Sequence, residues 1–163
     1  MSLSPDLYYH SIASVDLDEL ASRGITSLLV DLDNTLLPRD TSVLPPAALD
    51  FADRVRGAGM NACLVSNNWH ERVHVAACEL GFELVPRAVK PLPFAFRAGL
   101  RRLGAVTSRT AVIGDQMFTD ILGGNALGML TVLVRPLSST DLPHTLLLRK
   151  LEDRVLGDRT PLV

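Results

Sequence analysis

ITSLLVDLDNTLL, Ile25 to Leu37, runs an almost unbroken apolar stretch into two carboxylates, Asp31 and Asp33, with only Leu32 between them. Such a run marks a strand buried on both faces, as in a parallel sheet. Like charges this close repel, and a buried carboxylate is costly unless it is paired or bound to a metal. Some other part of the chain must therefore bring compensating charge to the end of this strand.

Outward from that strand, apolar runs alternate with amphipathic patterns. PPAALDFADRVRGAG reads as a helix with proline at its start and Gly57 and Gly59 at its end. MNACLVS, Met60 to Ser66, reads as the second strand. In WHERVHVAACELG, residues Trp69, Val73, Ala76, Ala77 and Leu80 fall on one helical face, and Gly81 is the stop. FELV, Phe82 to Val85, is a short third strand, and PLPFAFRAGLRRLG is a helix with prolines only in its first turn. TAVIG, Thr110 to Gly114, and LTVLV, Leu130 to Val134, are strands four and five, with a helix over Phe118 to Leu127 between them. Strand and helix alternating with short joins implies right-handed crossovers and a mostly parallel five-stranded sheet in an α/β fold. Ligands bind such sheets beyond the carboxyl ends of the strands.

Composition fits a soluble globular domain: 163 residues, 47% hydrophobic, 21% charged, net charge −2. One domain spanning residues 1–163 is expected. The charge gives no electrostatic footprint for nucleic acid. Cys63 and Cys78 lack metal-site spacing and are expected as reduced core thiols, which points to the cytoplasm. No stretch approaches the roughly 20 apolar residues of a membrane span, and MSLSPDLYYH lacks the order of a signal peptide.

The polar residues cluster where the strands end: DLDNT at Asp31 to Thr35, Ser66-Asn67-Asn68, Lys90-Pro91, and GDQMFTD at Gly114 to Asp120. A hard divalent cation answers the opening difficulty, because Mg²⁺ prefers oxygen ligands and takes carboxylates together with phosphate and water. Asp31 and Asp115 are natural ligands, joined by the Asp33 carbonyl, with Asp120 either ligating or steering a metal-bound water. The same set suits phosphoryl transfer, in which catalysis is mainly positioning and electrostatic stabilisation. Asp31 would be the nucleophile that forms an aspartyl phosphate. Asp33 would protonate the leaving oxygen and then deprotonate the attacking water. Thr35, Ser66, Asn67 and Lys90 would bind the phosphate oxygens.

These four motifs, in this order, resemble the haloacid dehalogenase (HAD) phosphohydrolase superfamily. DLDNTL, SNNWHERV, the Lys90-Pro91 pair and GDQMFTDILGGN are more narrowly similar to its subfamily IIIA proteins of the YqeG type, and the likeness covers nearly the whole chain. It implies a three-layer Rossmann-like fold, Asp31 as nucleophile, Asp33 as acid/base that also ligates through its carbonyl, and Asp115 as metal ligand. Asn34 stands where many relatives have glycine, and asparagine tolerates the unusual turn conformation. YqeG-type proteins in turn resemble phosphatidylglycerophosphate phosphatases, which implies a lipid phosphate as leading substrate. A soluble phosphatase of sugar phosphates or nucleotides is the enzymatic alternative. A receiver-like regulatory module is the non-catalytic one, and Asp33 discriminates, since a receiver needs no acid/base at that position.

One helix and one strand fill most of the span from Thr35 to Ser66, and another such pair fills that from Ser66 to Lys90. No sizeable cap domain fits, and PRDTSVLPP, Pro38 to Pro46, makes at most a small flap. An open site suits a bulky substrate or one whose head group alone enters, and a second subunit in a homo-oligomer would also cover it. Near the C-terminus Leu147, Leu148, Leu151 and Val155 share a helical face beside Arg149, Lys150 and Arg154. Such a helix suits peripheral contact with the anionic inner face of a membrane, or packing against its own domain or a partner.

Overall fold

The computed structural model describes residues 2–138, 155–157 and 159–162. In chain order the elements are β1 (Leu7–Tyr9), α1 (Leu17–Ser22), β2 (Ser27–Val30), α2 (Pro46–Gly57), β3 (Asn61–Val65), α3 (Glu71–Leu80), β4 (Glu83–Val85), α4 (Pro93–Leu103), β5 (Thr110–Gly114), α5 (Leu122–Ala126) and β6 (Leu130–Val134). A π-type turn, Met117–Ile121, leads into α5. The six strands form one sheet in the order β1-β6-β5-β2-β3-β4, and every pairing is parallel.

The opening stretch behaves as its composition requires. All four residues of β2 are buried, and Val30 lies between Ile113 of β5 and Leu64 of β3. Side chains alternate across the sheet with period two. Leu28 and Val30 join the layer built from α1, α2 and α3, while Leu29 joins the layer of α4. The helices meet these faces at helical spacing: Ala48, Phe51, Ala52 and Val55 of α2, and Ala95, Phe96, Gly99 and Leu100 of α4. Burying each large aliphatic side chain contributes about 1.5–3 kcal/mol. α5 lies against α4, β5 and β6 because Gly123 and Gly124 have no side chain there. A Cβ on Gly123 would fall 2.2 Å from the Phe96 ring, and one on Gly124 would fall 2.6 Å from Thr131 Cγ2.

Several expectations need correction. The sheet has six strands rather than five, because LYY at Leu7–Tyr9 pairs with β6. Its register is fixed by Asp6, whose amide donates to the Thr131 carbonyl (3.0 Å) and whose carboxylate accepts from the Thr131 amide (2.8 Å). The helix expected over Phe118 to Leu127 is a π-type turn followed by a short α-helix. Trp69 precedes α3 and is exposed, so the buried face of that helix is Val73, Ala76, Ala77 and Leu80 alone. Cys63 is buried, and burial pushes its thiol up to about 12, but Cys78 is exposed. Leu147, Leu148 and Leu151 lie outside the described residues.

Candidate active site

The sheet delivers its polar residues to one edge. β2 continues its ladder through the Asp31 amide, which donates to the Ile113 carbonyl at 2.9 Å. The chain then turns sharply. Leu32, Leu36 and Leu37 are fully buried and anchor the turn. Asn34 takes the left-handed conformation, φ 63°, as expected of the residue in the glycine position. Its side-chain oxygen accepts from Ser138 Oγ (2.7 Å) and the Arg39 amide (3.3 Å), contacts that a glycine would lack.

Lys90 arrives from beyond β4, and its buried ammonium bridges two carboxylates. Nζ donates to Asp31 Oδ1 and to Asp120 Oδ1, each at 2.7 Å. Burial alone would lower the lysine pKa, but Asp120 and Asp31 overcome it and hold the group above its ordinary value, so it stays charged. Burial pushes Asp120 above the usual carboxylate range, with Lys90 pulling the other way. Asp120 reaches the cluster by folding back over the end of β5. Its Oδ2 accepts from the Gln116 amide at 3.3 Å, and a Cβ on Gly114 would fall 2.1 Å from that same oxygen. Carboxylate oxygens of Asp31, Asp115 and Asp120, all buried, lie within 4.8 Å of one another.

The second carboxylate of the opening stretch has its own partners. Asp33 Oδ2 accepts from Asn68 Nδ2 at 3.3 Å, and Oδ1 lies 3.2 Å from Arg72 Nη2 of α3. Burial raises the Asp33 pKa and the neighbouring Asp31 adds to it; Arg72 and Asn68 counter this only in part. The opening difficulty is thus met by two cations, Lys90 for Asp31 and Arg72 for Asp33. Arg72 also donates to the carbonyls of Arg39 (2.9 Å) and Pro38 (3.0 Å), tying the flap between β2 and α2 to α3.

Thr35 and Ser66 are buried at the same edge; Thr35 Oγ1 lies 3.4 Å from Asp31 Oδ2, and Ser66 Oγ accepts from the Asn68 amide at 3.1 Å. The Asn67 side chain is spent on the main chain of Lys90, accepting from its amide at 2.7 Å and donating to its carbonyl at 3.3 Å. It positions the lysine. Asn68 was read as part of the strand-end cluster but given no role, and Arg72 escaped the sequence reading. The cue was present in SNNWHERV, where Arg72 is the first cation after the strand end, but its partner Asp33 lies in a distant segment.

The oxygen-rich donor set fits a hard divalent ion, whose cis ligands in an octahedron lie about 3 Å apart. Residues 87–141 match a family profile described as HAD-hydrolase-like. The chain is 34% identical to "Probable phosphatase YqeG" of Bacillus subtilis (strain 168), over 94% of this chain and 89% of that protein. It is 27% identical to "Phosphatidylglycerophosphate phosphatase 1, chloroplastic/mitochondrial" of Arabidopsis thaliana over 85% of this chain, which spans only 42% of that protein. The fold is shared with a crystal structure of a HAD phosphatase from Thermococcus onnurineus, with TM-score 0.60 at 16% identity, covering 82% of this chain and 98% of that one. The carboxylates gathered beyond the ends of β2 and β5 thus stand in a chain that belongs to the haloacid dehalogenase superfamily of phosphohydrolases, in the family of the YqeG phosphatases.

Proposed function

We propose that the chain acts as a single domain and hydrolyses phosphate monoesters through an aspartyl phosphate on Asp31. The observation that carries this reading is the pairing of two carboxylates with opposed surroundings: Asp31 held by a charged lysine, and Asp33 pushed toward its protonated form. Such a split assigns nucleophile and acid. An Asp31 carboxylate oxygen attacks phosphorus while Asp33 gives its proton to the departing alkoxide. Asp33 then takes a proton from water, which attacks the phosphoryl group and releases inorganic phosphate and Asp31. Lys90 balances charge on the phosphate oxygens throughout, and Thr35 and Ser66 supply hydroxyl donors.

A divalent ion, Mg²⁺ by the chemistry of the donors, would be held by Asp31, Asp115 and the Asp33 carbonyl. It would supply shielding between the carboxylate and an anionic substrate. Both carboxylate oxygens of Asp120 already have donors, Lys90 and the Gln116 amide, so we assign it to fixing the lysine and adding charge to the cluster.

The substrate we favour is phosphatidylglycerophosphate. Similarity to the plant enzyme supports it, and so does a site with no cap among the described residues, since the flap over residues 38–45 holds no helix or strand. Soluble sugar phosphates and nucleotides form the second reading. Steady-state hydrolysis with Mg²⁺ tests both levels. Asp31→Asn and Asp33→Asn should each lower turnover of a generic phosphate ester at least about 10²-fold. Retention of near-normal rates in either variant overturns the assignment. A panel including detergent-dispersed phosphatidylglycerophosphate then decides the substrate, and efficient turnover of soluble esters alone removes the lipid.

A further inference from the structure

We propose that the rim formed by the loops after β3 and β4 is a docking surface for an anionic lipid bilayer. The inference deepens the lipid-phosphate reading of the same crevice. Large apolar side chains are ordinarily scattered on a protein surface, and a cluster of them marks an interaction site. Four stand on these two loops and the first turn of α4: Trp69 (56% exposed), Val89 (53%), Leu92 (46%) and Phe94 (54%).

The loops form one unit. The Ala88 amide donates to the Ser66 carbonyl at 3.0 Å, the Arg87 amide donates to the Asn68 carbonyl at 3.3 Å, and Asn67 clamps Lys90. The Arg87 guanidinium lies over the Trp69 ring, 5.8 Å from its centroid. The main chain is strained to make this surface. Arg87 and Val89 both take left-handed conformations, φ 51° and 57°, which a β-branched residue rarely adopts. The turn leaves Val89 in solvent and buries its neighbours Ala88 and Lys90. The apolar rim therefore begins one residue from the lysine that faces the phosphate.

Charge selects the occupant. The chain is acidic overall, yet from Pro86 to Gly114 it carries no carboxylate side chain, while Arg87 and Arg97 are exposed on the rim and on the first turns of α4. Tryptophan and phenylalanine flanked by arginine suit the boundary between lipid head groups and acyl chains, and an anionic surface attracts the arginines. A second copy of this acidic chain, or an acidic protein, would meet the arginines but not require an exposed indole beside them. Seated this way, the rim brings the crevice to the level of the head groups.

Trp69 is the sole tryptophan, so indole fluorescence reads this surface alone. Vesicles of phosphatidylcholine, with and without phosphatidylglycerol, are titrated into the full chain. Emission should shift to the blue and acrylamide quenching should fall with the anionic vesicles, and the effect should weaken in high salt. The double variant Leu92→Ser with Phe94→Ser should need about tenfold more lipid, as should Arg87→Glu. All should hydrolyse a soluble phosphate ester like the parent, which shows that they fold. An indole already in an apolar setting without vesicles, an unmoved spectrum, or variants that bind like the parent overturn the proposal. So does sedimentation showing a dimer that these variants disperse. Binding without hydrolysis of phosphatidylglycerophosphate leaves the docking surface standing and removes only the substrate.

Discussion

Asp33 and Arg72 show how far a single side chain sets the chemistry. Burial, and after it Asp31, lifts the Asp33 pKa; Arg72, 3.2 Å away, and Asn68 hold the lift in check. In the proposed cycle Asp33 gives up its proton in the first step and must stay ionised to accept one from water in the second, so where the second step limits turnover the acid limb of kcat follows its pKa. Arg72→Gln removes the cation and lets that pKa rise further. The acid limb of kcat on a soluble phosphate ester should move to higher pH. An unmoved limb in a folded variant would show that Asp33 does not govern it. The sign extends to stability. A carboxyl whose folded pKa is raised favours the fold most below its unfolded pKa, and that contribution is lost as pH rises through the folded value. Sequence made the carboxylates legible, since an apolar run into Asp31 and Asp33 has few other meanings. It left Arg72 hidden, because an arginine on a helix face is ordinarily solvated and only tertiary packing turns this one inward.

At the scale of elements, β5 and β6 fall where their apolar runs placed them; α2 and α4 begin and end within two residues of their proline and glycine signals, and α3 ends at its glycine. β1 was illegible for a physical reason. Three residues cannot display a period, and what makes LYY a strand is pairing with β6 at the far end of the chain. The turn before α5 was misread because Phe118 to Leu127 has the composition of one helix. The chain instead widens to a π-type turn at Met117–Ile121, in which Asp120 folds back over Gly114. α1 was legible but unread: Asp16 caps it by accepting from the amides of Asp18 and Glu19, with Glu19 in the capping-box position. The close approach of α5 to α4 rests on Gly123. Gly123→Ala should destabilise the protein by about 1–3 kcal/mol in denaturant unfolding, since its methyl group enters the Phe96 ring. Combining it with Phe96→Leu should recover part of that loss, whereas additive losses would show that the ring is not the obstacle.

Across the whole molecule the acidic cluster couples folding to ligand. Six parallel strands end at one edge, and segments far apart in sequence deliver Asp31, Asp115 and Asp120 to within 4.8 Å of one another. The unfolded chain keeps these carboxylates apart in water, so the fold alone bears the cost of gathering them. Lys90 offsets part of that cost through Asp31 and Asp120. A divalent ion that binds only the folded chain should offset more, by RT ln(1 + [L]/Kd), or about 2.7 kcal/mol at a hundredfold excess over Kd. The midpoint of thermal unfolding should therefore rise with millimolar Mg²⁺ and return to its starting value with chelator. Asp115→Asn should abolish that rise while leaving the metal-free protein no less stable, because the variant removes one of the crowded charges. Arg23→Gln, which loses only the surface pair with Glu19, should keep the full rise. A midpoint indifferent to Mg²⁺, or a rise undiminished in Asp115→Asn, would separate the cluster from metal and leave Lys90 as its main compensating charge.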